Sequence, residues 1–344
     1  MRACSTPAAS SVSAGFQSSV STIVLQTLRD ELGRSDNCIP FDRFMAIALH
    51  DPLDGYYARN IPGIGSRGDF TTLPQRTALL GKAVARWLRS GAGARGWKNF
   101  AVIECGPGNG SLAASVLADF GWWDRRRIAM HLVETSEPLR RQQEIALRGR
   151  RAQWHADINS ALAACDGRAL IYHNEFFDAF PCRVFERNRG DWLELHLRVK
   201  EGKLGEFLQP PGRPLPDSEA LGRDWPDGQR LEIFESVSHW LRGVSGAWRE
   251  GTMLAIDYGG STEAIYHRRP RGTLRAYRQH QRLAGDAVYE LPGRQDITAD
   301  VNFEDIARWV RELGWSAGAD RSLAELAPGF PGAEAFRYAV LEKV

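Results

Sequence analysis

Four short apolar runs, each followed at once by an acid or amide side chain, constrain the fold of this chain more than any other feature. They lead to Glu104, to Glu134, to Asn174 and Glu175, and to Asp257. Helical patterns separate the runs, and this alternation is typical of a parallel sheet with crossover helices. Because the carboxyl ends of parallel strands meet at the edge where open α/β sheets bind ligands, we expect these side chains to outline a site.

The first run leads into a glycine-rich loop, residues 104–110, which reads Glu-Cys-Gly-Pro-Gly-Asn-Gly and precedes a helical run from Ser111 to Leu117. Glycine lets the backbone approach a ligand or take positive φ, and a helix N-terminus offers N–H groups to an anion. A dinucleotide fingerprint would need a third glycine where Ser111 stands, so the spacing favours an S-adenosylmethionine-dependent methyltransferase over a nicotinamide oxidoreductase. The loop residues predicted to bind this cofactor are Glu104, Gly106, Pro107, Gly108 and Gly110.

Three further side chains complete the predicted cofactor site. Glu134 stands about twenty residues beyond the loop, where a carboxylate can accept hydrogen bonds from both ribose hydroxyls. Asp157 is placed to accept from an adenine amino group, and Asn174 ends the third run. Alternatively, Glu104 and Glu134 are solvated strand ends and Asp157 is a turn residue.

The segment after the third run, residues 173–181, concentrates reactive side chains. It contains two carboxylates, an amide and several aromatic rings within a short stretch. Glu175 is the first candidate catalytic residue, followed by Asp178 and Asn174. In the alternative interpretation Asn174 and Asp178 are loop and helix-cap residues, and the phenylalanines belong to the core.

The pattern divides the 344 residues into a disordered tail (1–20), a helical N-terminal cap (21–96) and a Rossmann-like α/β domain (97–344). Insertions are expected at 184–230 and 260–300, the first containing a hairpin around residues 188–191. Within the cap, the Gly- and Pro-rich segment 51–74 is expected to be an ordered loop. Asn302 is expected to cap a later helix, with Asp305 three residues on.

Composition excludes several classes of function. The net charge of +2, from 44 basic and 42 acidic residues, provides no global field for nucleic-acid binding. No apolar run approaches the roughly 20 residues that span a bilayer, so no membrane insertion is expected. The cysteines are far apart and the histidines lack ligand spacing, so no disulfide framework and no metal site is predicted. Four tryptophans are interpreted as core or interface residues, namely Trp122, Trp123, Trp309 and Trp315.

The cysteine pattern indicates a reducing compartment, and we expect the cytoplasm. The mitochondrial matrix is the alternative. The first twenty residues contain no acid, as in transit peptides, although Arg2 is their only base.

Seven stretches of the chain match a known family in the family's order, namely residues 41–45, 55–57, 68–72, 104–110, 174–179, 256–259 and 296–301. Together they resemble the MidA family, whose mitochondrial members are complex I assembly factors that methylate an arginine of a complex I subunit. The resemblance covers roughly residues 38 to 344 and implies a Rossmann-like methyltransferase with a helical cap, S-adenosylmethionine as donor and a protein arginine as acceptor. Two departures, Leu73-Pro74-Gln75 and Asp300, bear on the acceptor rather than the donor.

An arginine acceptor would enter fully charged, so a carboxylate pair is expected to polarise its guanidinium and to receive a proton as the methyl group arrives. Glu175 and Asp178 are the expected pair, and Asp69 could close the site from the cap. Two other functions remain open at this point: a non-catalytic scaffold that keeps the cofactor pocket, and a methyltransferase for a small molecule. The acceptor's identity and the oligomeric state are left undetermined.

Overall fold

A computed structural model describes residues 22–35, 37–59, 78–200 and 203–343. The predicted tail, Asp69 and Leu73-Pro74-Gln75 lie outside the described residues. The helices are α1 Thr22–Arg34, α2 Phe41–His50, α3 Tyr56–Arg59, α4 Leu79–Ala94, α5 Ser111–Asp119, α6 Trp122–Arg125, α7 Glu137–Ala146, α8 Ile158–Ala163, α9 Glu219–Gly222, α10 Glu235–Ala247, α11 Thr262–Tyr266, α12 Phe303–Glu312 and α13 Leu323–Leu326.

The strands belong to three sheets. They are β1 Cys38–Pro40, β2 Phe100–Cys105, β3 Ile128–Val133, β4 Ala152–His155, β5 Ala169–Asn174, β6 Arg183–Asn188, β7 Asp191–Lys200, β8 Lys203–Gln209, β9 Arg230–Ile233, β10 Gly251–Gly260, β11 Arg275–Arg278, β12 Gln281–Leu283, β13 Asp296–Thr298, β14 Val301–Asn302, β15 Ser316–Ala317, β16 Arg321–Ser322 and β17 Phe336–Lys343.

The main sheet has the order β15-β17-β10-β5-β2-β3-β4, with β14 beside β10 and β16 beside β17. The central strands β10, β5, β2, β3 and β4 are parallel, and β17 is antiparallel to β10. The four apolar runs form β2, β3, β5 and β10, which confirms the predicted α/β sheet. In this register Cys105 of β2 lies opposite Val133 of β3 and His173 of β5, so the segments that follow all leave from one edge.

Helices cover both faces of this sheet. On one face α4 and α5 pack over Val102, Leu170 and Leu254, while on the other α8, α10 and α12 pack over Ile103 and Ile171. Fully burying each such aliphatic side chain stabilises the fold by about 1.5–3 kcal/mol. The prediction grouped α4 with the N-terminal cap, but its buried side chains belong to the layer that covers the sheet. The other predicted domain boundaries remain predictions.

The cap of α12 differs in one respect from the prediction. The Asn302 side chain accepts from the backbone N–H of Glu304, as expected for an N-cap. Asp305 does not reach back to complete a capping box. Its carboxyl group instead accepts from the Ser218 hydroxyl at 2.7 Å and from the Glu219 N–H at 3.0 Å, which fixes the start of α9.

Two smaller sheets are built mainly from the regions predicted as insertions, and β1 from the predicted cap joins the first of them. The first has the order β1-β7-β6-β9 with β8 beside β7, and β6 and β7 form the hairpin around residues 188–191. A buried ion pair between Arg183 and Glu194, with two N–H···O contacts at 2.7 and 3.0 Å, joins the two strands of this hairpin. The second sheet, β12-β11-β13, brings the start of β13 to the edge where the main strands end. Among the described residues, no helix is both long and apolar enough to cross a bilayer.

Candidate active site

A cavity of about 470 Å³ opens at the carboxyl edge of the parallel strands. One side, which we call the loop end, contains Gly106, Gly108, Glu134 and Asp157. The other side, the acid end, contains Tyr57, Glu175 and Asp296, and Asn174 also lines the cavity. The sheet therefore brings together most of the side chains that the sequence placed at this edge.

The glycine loop has backbone geometry that its glycines make possible. Gly106 and Gly110 have φ values of 62° and 81°, in the left-handed region that disfavours side chains. A Cβ atom on Gly106 would also lie 2.8 Å from a ring carbon of Phe176. One expected feature differs: the Ser111 N–H at the start of α5 donates to the Asn109 side chain at 3.1 Å, so the loop itself satisfies this helix N–H.

Glu134 is held at the loop end by a network that the sequence did not indicate. One carboxyl oxygen accepts from the Ser136 N–H at 2.8 Å, and the other accepts from the Gln143 side chain at 3.2 Å. The same Gln143 nitrogen donates to the Gly108 carbonyl at 2.6 Å, and the Gln143 side-chain oxygen accepts from the Trp154 indole. Fully buried Gln143 thus ties the glycine loop to Glu134. It lies mid-helix in α7, where no motif marks it.

Asp157 has a structural role in addition to its place on the cavity wall. It is the N-cap of α8, accepting from the Ser160 N–H at 2.9 Å and the Ser160 hydroxyl at 2.7 Å. Asp157 is thus a helix cap rather than the turn residue of the alternative interpretation. The contact with an adenine remains a prediction.

Three predicted cofactor contacts do not reach the cavity. The Glu104 carboxyl group is buried in β2, where it accepts from the Tyr172 hydroxyl at 2.8 Å, and burial raises its pKa to about 8. Its side chain lies opposite the face of Ile103 and Cys105, because successive strand residues alternate. Pro107 and Gly110 are buried and do not line the cavity, and Gly110 packs against Gln143. The cavity lining therefore does not support the predicted direct contact of these three residues with the cofactor, and that contact stays a prediction.

The backbone at the acid end is strained and anchored. Glu175 has φ of 53°, a conformation that costs free energy for a residue with a side chain. The buried Asp257 carboxylate compensates, because its Oδ2 atom accepts from the backbone N–H groups of Phe176 at 3.2 Å and Phe177 at 2.9 Å. Asp257 therefore positions Glu175 from behind and does not line the cavity.

The Glu175 carboxyl group has one satisfied oxygen and one unsatisfied oxygen. Oε1 accepts from the Asn174 amide at 2.8 Å. Oε2 is buried and has no hydrogen-bond partner among the described residues. Burial, together with the nearby Asp178 charge, raises the pKa of Glu175 to about 8. An unpaired buried oxygen is costly, so this atom is suited to a ligand that donates hydrogen bonds.

Asp178 and Asp296 complete the acid end in different ways. Asp178 is buried behind the cavity wall, where it accepts from the Thr298 hydroxyl at 3.0 Å, and burial and the Asp296 charge raise its pKa. Asp296 lines the cavity and accepts from the Tyr57 hydroxyl at 2.7 Å. Asp178, proposed from sequence as the second catalytic residue, is thus replaced at the cavity by Asp296. Asp296 and Tyr57 lie in stretches that resemble the MidA family, but no role was predicted for either residue from the sequence.

Asp300, one of the departures from the family pattern, points away from the cavity. It pairs with Arg275 at 2.7 Å and with Arg269 at 2.9 Å. Because its charge is neutralised by these two guanidinium groups, it is not an open acceptor for a ligand.

An aromatic wall joins the two ends of the cavity. Phe176 packs edge-on against Phe180 and Trp240, with ring centroids 5.0 and 5.5 Å apart, and all three rings line the cavity. Such apolar lining excludes water and strengthens electrostatic interactions between the ends. No group of His, Cys, Asp and Glu side chains in the described part of the chain could hold a metal ion.

The chain resembles proteins of known family over most of its length. Residues 79–319 match a family model described as "Putative S-adenosyl-L-methionine-dependent methyltransferase". Two relatives are named protein arginine methyltransferase NDUFAF7, mitochondrial, from Danio rerio, and its homolog from Caenorhabditis elegans. They are 28% and 26% identical over 76% and 87% of this chain. The chain spans 65% and 74% of the lengths of these relatives.

Solved structures share the fold. A Burkholderia thailandensis superfamily protein that was crystallised with S-adenosyl-homocysteine superposes with a TM-score of 0.79 at 24% identity, covering 93% of this chain and 92% of that one. A native structure from the same organism gives a TM-score of 0.77 at 25% identity, covering 93% and 91%.

Proposed function

Since this chain belongs to the S-adenosyl-L-methionine-dependent methyltransferase family that its residues 79–319 match, we propose that its acceptor is an arginine side chain of a protein. The observation that carries the proposal is the buried Oε2 atom of Glu175 at the acid end of the cavity, which has no hydrogen-bond partner in the part of the chain that the structure describes. Two relatives bear the name protein arginine methyltransferase, which supports the same acceptor class.

The loop end fits the donor. Gly106 leaves no room for a side chain against Phe176, so the backbone there can lie against a ligand. Glu134 is buried with both oxygens oriented by hydrogen bonds, as needed to accept from a ribose diol. When bound, S-adenosylmethionine supplies a methyl group on a positively charged sulfur. Gly106, Gly108 and Glu134 are the residues proposed to hold it, with Asp157 and Asn174 beside them.

The acid end fits a guanidinium better than a neutral acceptor. Glu175 and Asp296 line the cavity, with Asp178 and Asp257 buried behind them, and their charges repel one another. A planar cation with five N–H donors lowers this repulsion and satisfies the free Glu175 oxygen. A neutral small molecule would do neither.

Glu175 has two tasks in the proposed reaction. Its carboxylate accepts an N–H from the guanidinium, which leaves lone-pair density on the nitrogen that takes the methyl group. It then takes up the proton that this nitrogen releases. Its raised pKa, about 8, suits a group that must gain a proton near neutral pH. Tyr57 and Asp296, which lie at the same acid end of the cavity, orient the guanidinium beside Glu175.

The test is methyl transfer from tritiated S-adenosylmethionine into host-cell extract, followed by mass analysis of the labelled product. Label on protein arginine is the expected result, and Glu134→Ala, which weakens the donor site, should abolish it. Label on another residue or on a metabolite would refute the arginine acceptor. Donor binding without any labelling would favour the non-catalytic scaffold.

We further propose that the acceptor belongs to a respiratory complex I type subunit, which rests on the family resemblance alone. For the compartment, both relatives are named mitochondrial, which favours the matrix alternative over the expected cytoplasm. Fractionation of the host cell with an antibody against this chain would distinguish the two.

A further inference from the structure

A second cavity lies at the opposite edge of the main sheet, where β5, β2, β3 and β4 begin. Its volume is about 770 Å³, and the charged side chains that line it are one acid, Asp166, and five arginines. The chain as a whole has a net charge of only +2, so positive charge is concentrated here. We call this cavity the basic cleft; its arginines are Arg126, Arg127, Arg150, Arg151 and Arg168.

Few of these guanidinium groups are neutralised within the chain. Arg168 pairs with Glu250 at 3.0 Å, and Arg127 approaches Asp124 only to 3.9 Å with both side chains more than half exposed. In the described ranges Arg126 and Arg151 make no ion pair. Such exposed pairs contribute little, so most of the cleft's charge is available to an external anion.

Two exposed tryptophans stand at the rim of the basic cleft. Trp122 and Trp123 are 53% and 71% exposed, whereas Trp309 and Trp315 are buried in the core. The Arg126 guanidinium lies 3.6 Å from the centroid of the Trp122 ring, which links the pair to the cleft. Tryptophan beside arginine is the combination enriched at the centres of protein–protein interfaces.

We propose that the basic cleft binds an aspartate- and glutamate-rich segment of a partner protein, with Trp123 packing against apolar side chains of that segment. Carboxylates match the arginines in charge and in bidentate geometry. A bilayer fits less well, because the arginines line a recess that a flat surface cannot enter. A single-stranded nucleic acid also fits less well, because the two tryptophans meet edge-on at 4.5 Å and Arg126 covers Trp122, which leaves no platform for successive bases.

The position of the basic cleft separates this interaction from catalysis. The cleft and the catalytic cavity lie at opposite ends of the same strands and have no lining residue in common. A partner can therefore occupy the cleft while an acceptor enters the cavity. The proposal does not depend on which acceptor the enzyme methylates.

The test uses fluorescence anisotropy with a short labelled peptide rich in Asp, Glu and Leu. The control peptide has Asn and Gln in place of every acid. The double variant Arg126→Gln/Arg151→Gln should weaken binding of the acidic peptide about tenfold, and Trp123→Ser should weaken it severalfold. The matched control, Arg141→Gln/Arg321→Gln, removes two exposed arginines outside the cleft and should bind as the unchanged protein does. Calorimetry with S-adenosylhomocysteine checks that every variant is folded.

Binding of the acidic peptide that falls with added salt and with the cleft variants supports the proposal. Equal binding of the two peptides, or equal loss in the control variant, overturns it. So does preferential binding to vesicles containing phosphatidylglycerol or to a poly-dT oligonucleotide measured in the same buffer.

Discussion

The two ends of the catalytic cavity differ in how their buried carboxyl groups are stabilised. At the loop end a single buried carboxylate, Glu134, has hydrogen bonds to both oxygens, and Gln143 joins it to the glycine loop. At the acid end several carboxyl groups lie close together, and the pKa of Glu175 is raised to about 8. One Glu175 oxygen has no hydrogen-bond partner within the described ranges. The loop end is therefore organised before a ligand arrives, whereas at the acid end the carboxyl charges repel one another and the nearby Arg275 charge offsets this repulsion only in part.

The substitution Glu175→Gln tests the difference between the two ends of the cavity most directly. We expect the rate constant of methyl transfer to fall by about a hundredfold or more, because the group proposed to accept the proton is lost, while affinity for S-adenosylhomocysteine stays unchanged. Single-turnover methyl transfer and calorimetry measure the two quantities. Glu263→Gln, an exposed acid on α11, is the control and should retain full activity. Equal activity of Glu175→Gln and the unchanged enzyme would remove Glu175 from the mechanism.

Gln143→Leu tests the loop end. Removing the amide leaves the Gly108 carbonyl and a Glu134 oxygen without their hydrogen-bond donor. The affinity for S-adenosylmethionine should therefore fall about tenfold, while kcat at saturating S-adenosylmethionine should change little. Gln142→Leu, the neighbouring position on α7, is the matched control. A change confined to kcat would mean that Gln143 does not organise the donor site.

The pH dependence of stability sharpens the contrast. The folded-state pKa of Glu175, about 8, lies above its ordinary value of 4.5, so the folded chain keeps a proton that the unfolded chain releases. This contribution to the free energy of unfolding is fully present below pH 4.5 and is lost as pH rises to about 8, by at most about 1.4 kcal/mol per pH unit. The Tm of the enzyme should therefore fall over this range more steeply than that of Glu175→Gln. Parallel curves would show that Glu175 titrates normally.

The smallest effect is expected for Asp157→Ala. The substitution removes the proposed adenine acceptor and should lower donor affinity about threefold, in addition to a loss of about 1 kcal/mol from the α8 cap. Ser160→Ala weakens the same cap and keeps the carboxylate, so its donor affinity should remain unchanged. If both variants lose affinity equally, Asp157 acts only through the helix.

Strand ends explain how much of the site could be predicted. Glu134, Asn174 and Glu175 stand at the ends of short apolar runs. Parallel pairing of these runs brings their ends to one edge of the main sheet, however the other elements pack. Glu104 and Asp257 belong to the same pattern but lie off the cavity. Whether a side chain near a strand end faces the cavity depends on which face of the sheet it points to and on the residue at which the strand ends. The periodicity of apolar residues does not resolve these two details.

The sequence by itself determined the parallel sheet, the glycine loop and the position of Glu134, the carboxylate proposed to bind the ribose. Apolar periodicity and glycine spacing are local features, so they do not depend on how the helices pack. Only the tertiary structure decided that Gln143 supports the loop, that Asp296 rather than Asp178 faces the cavity, and that Trp122 and Trp123 are exposed beside a basic cleft. These facts depend on contacts between segments far apart in the chain. Their energies come from desolvation and charge proximity, which no local pattern encodes.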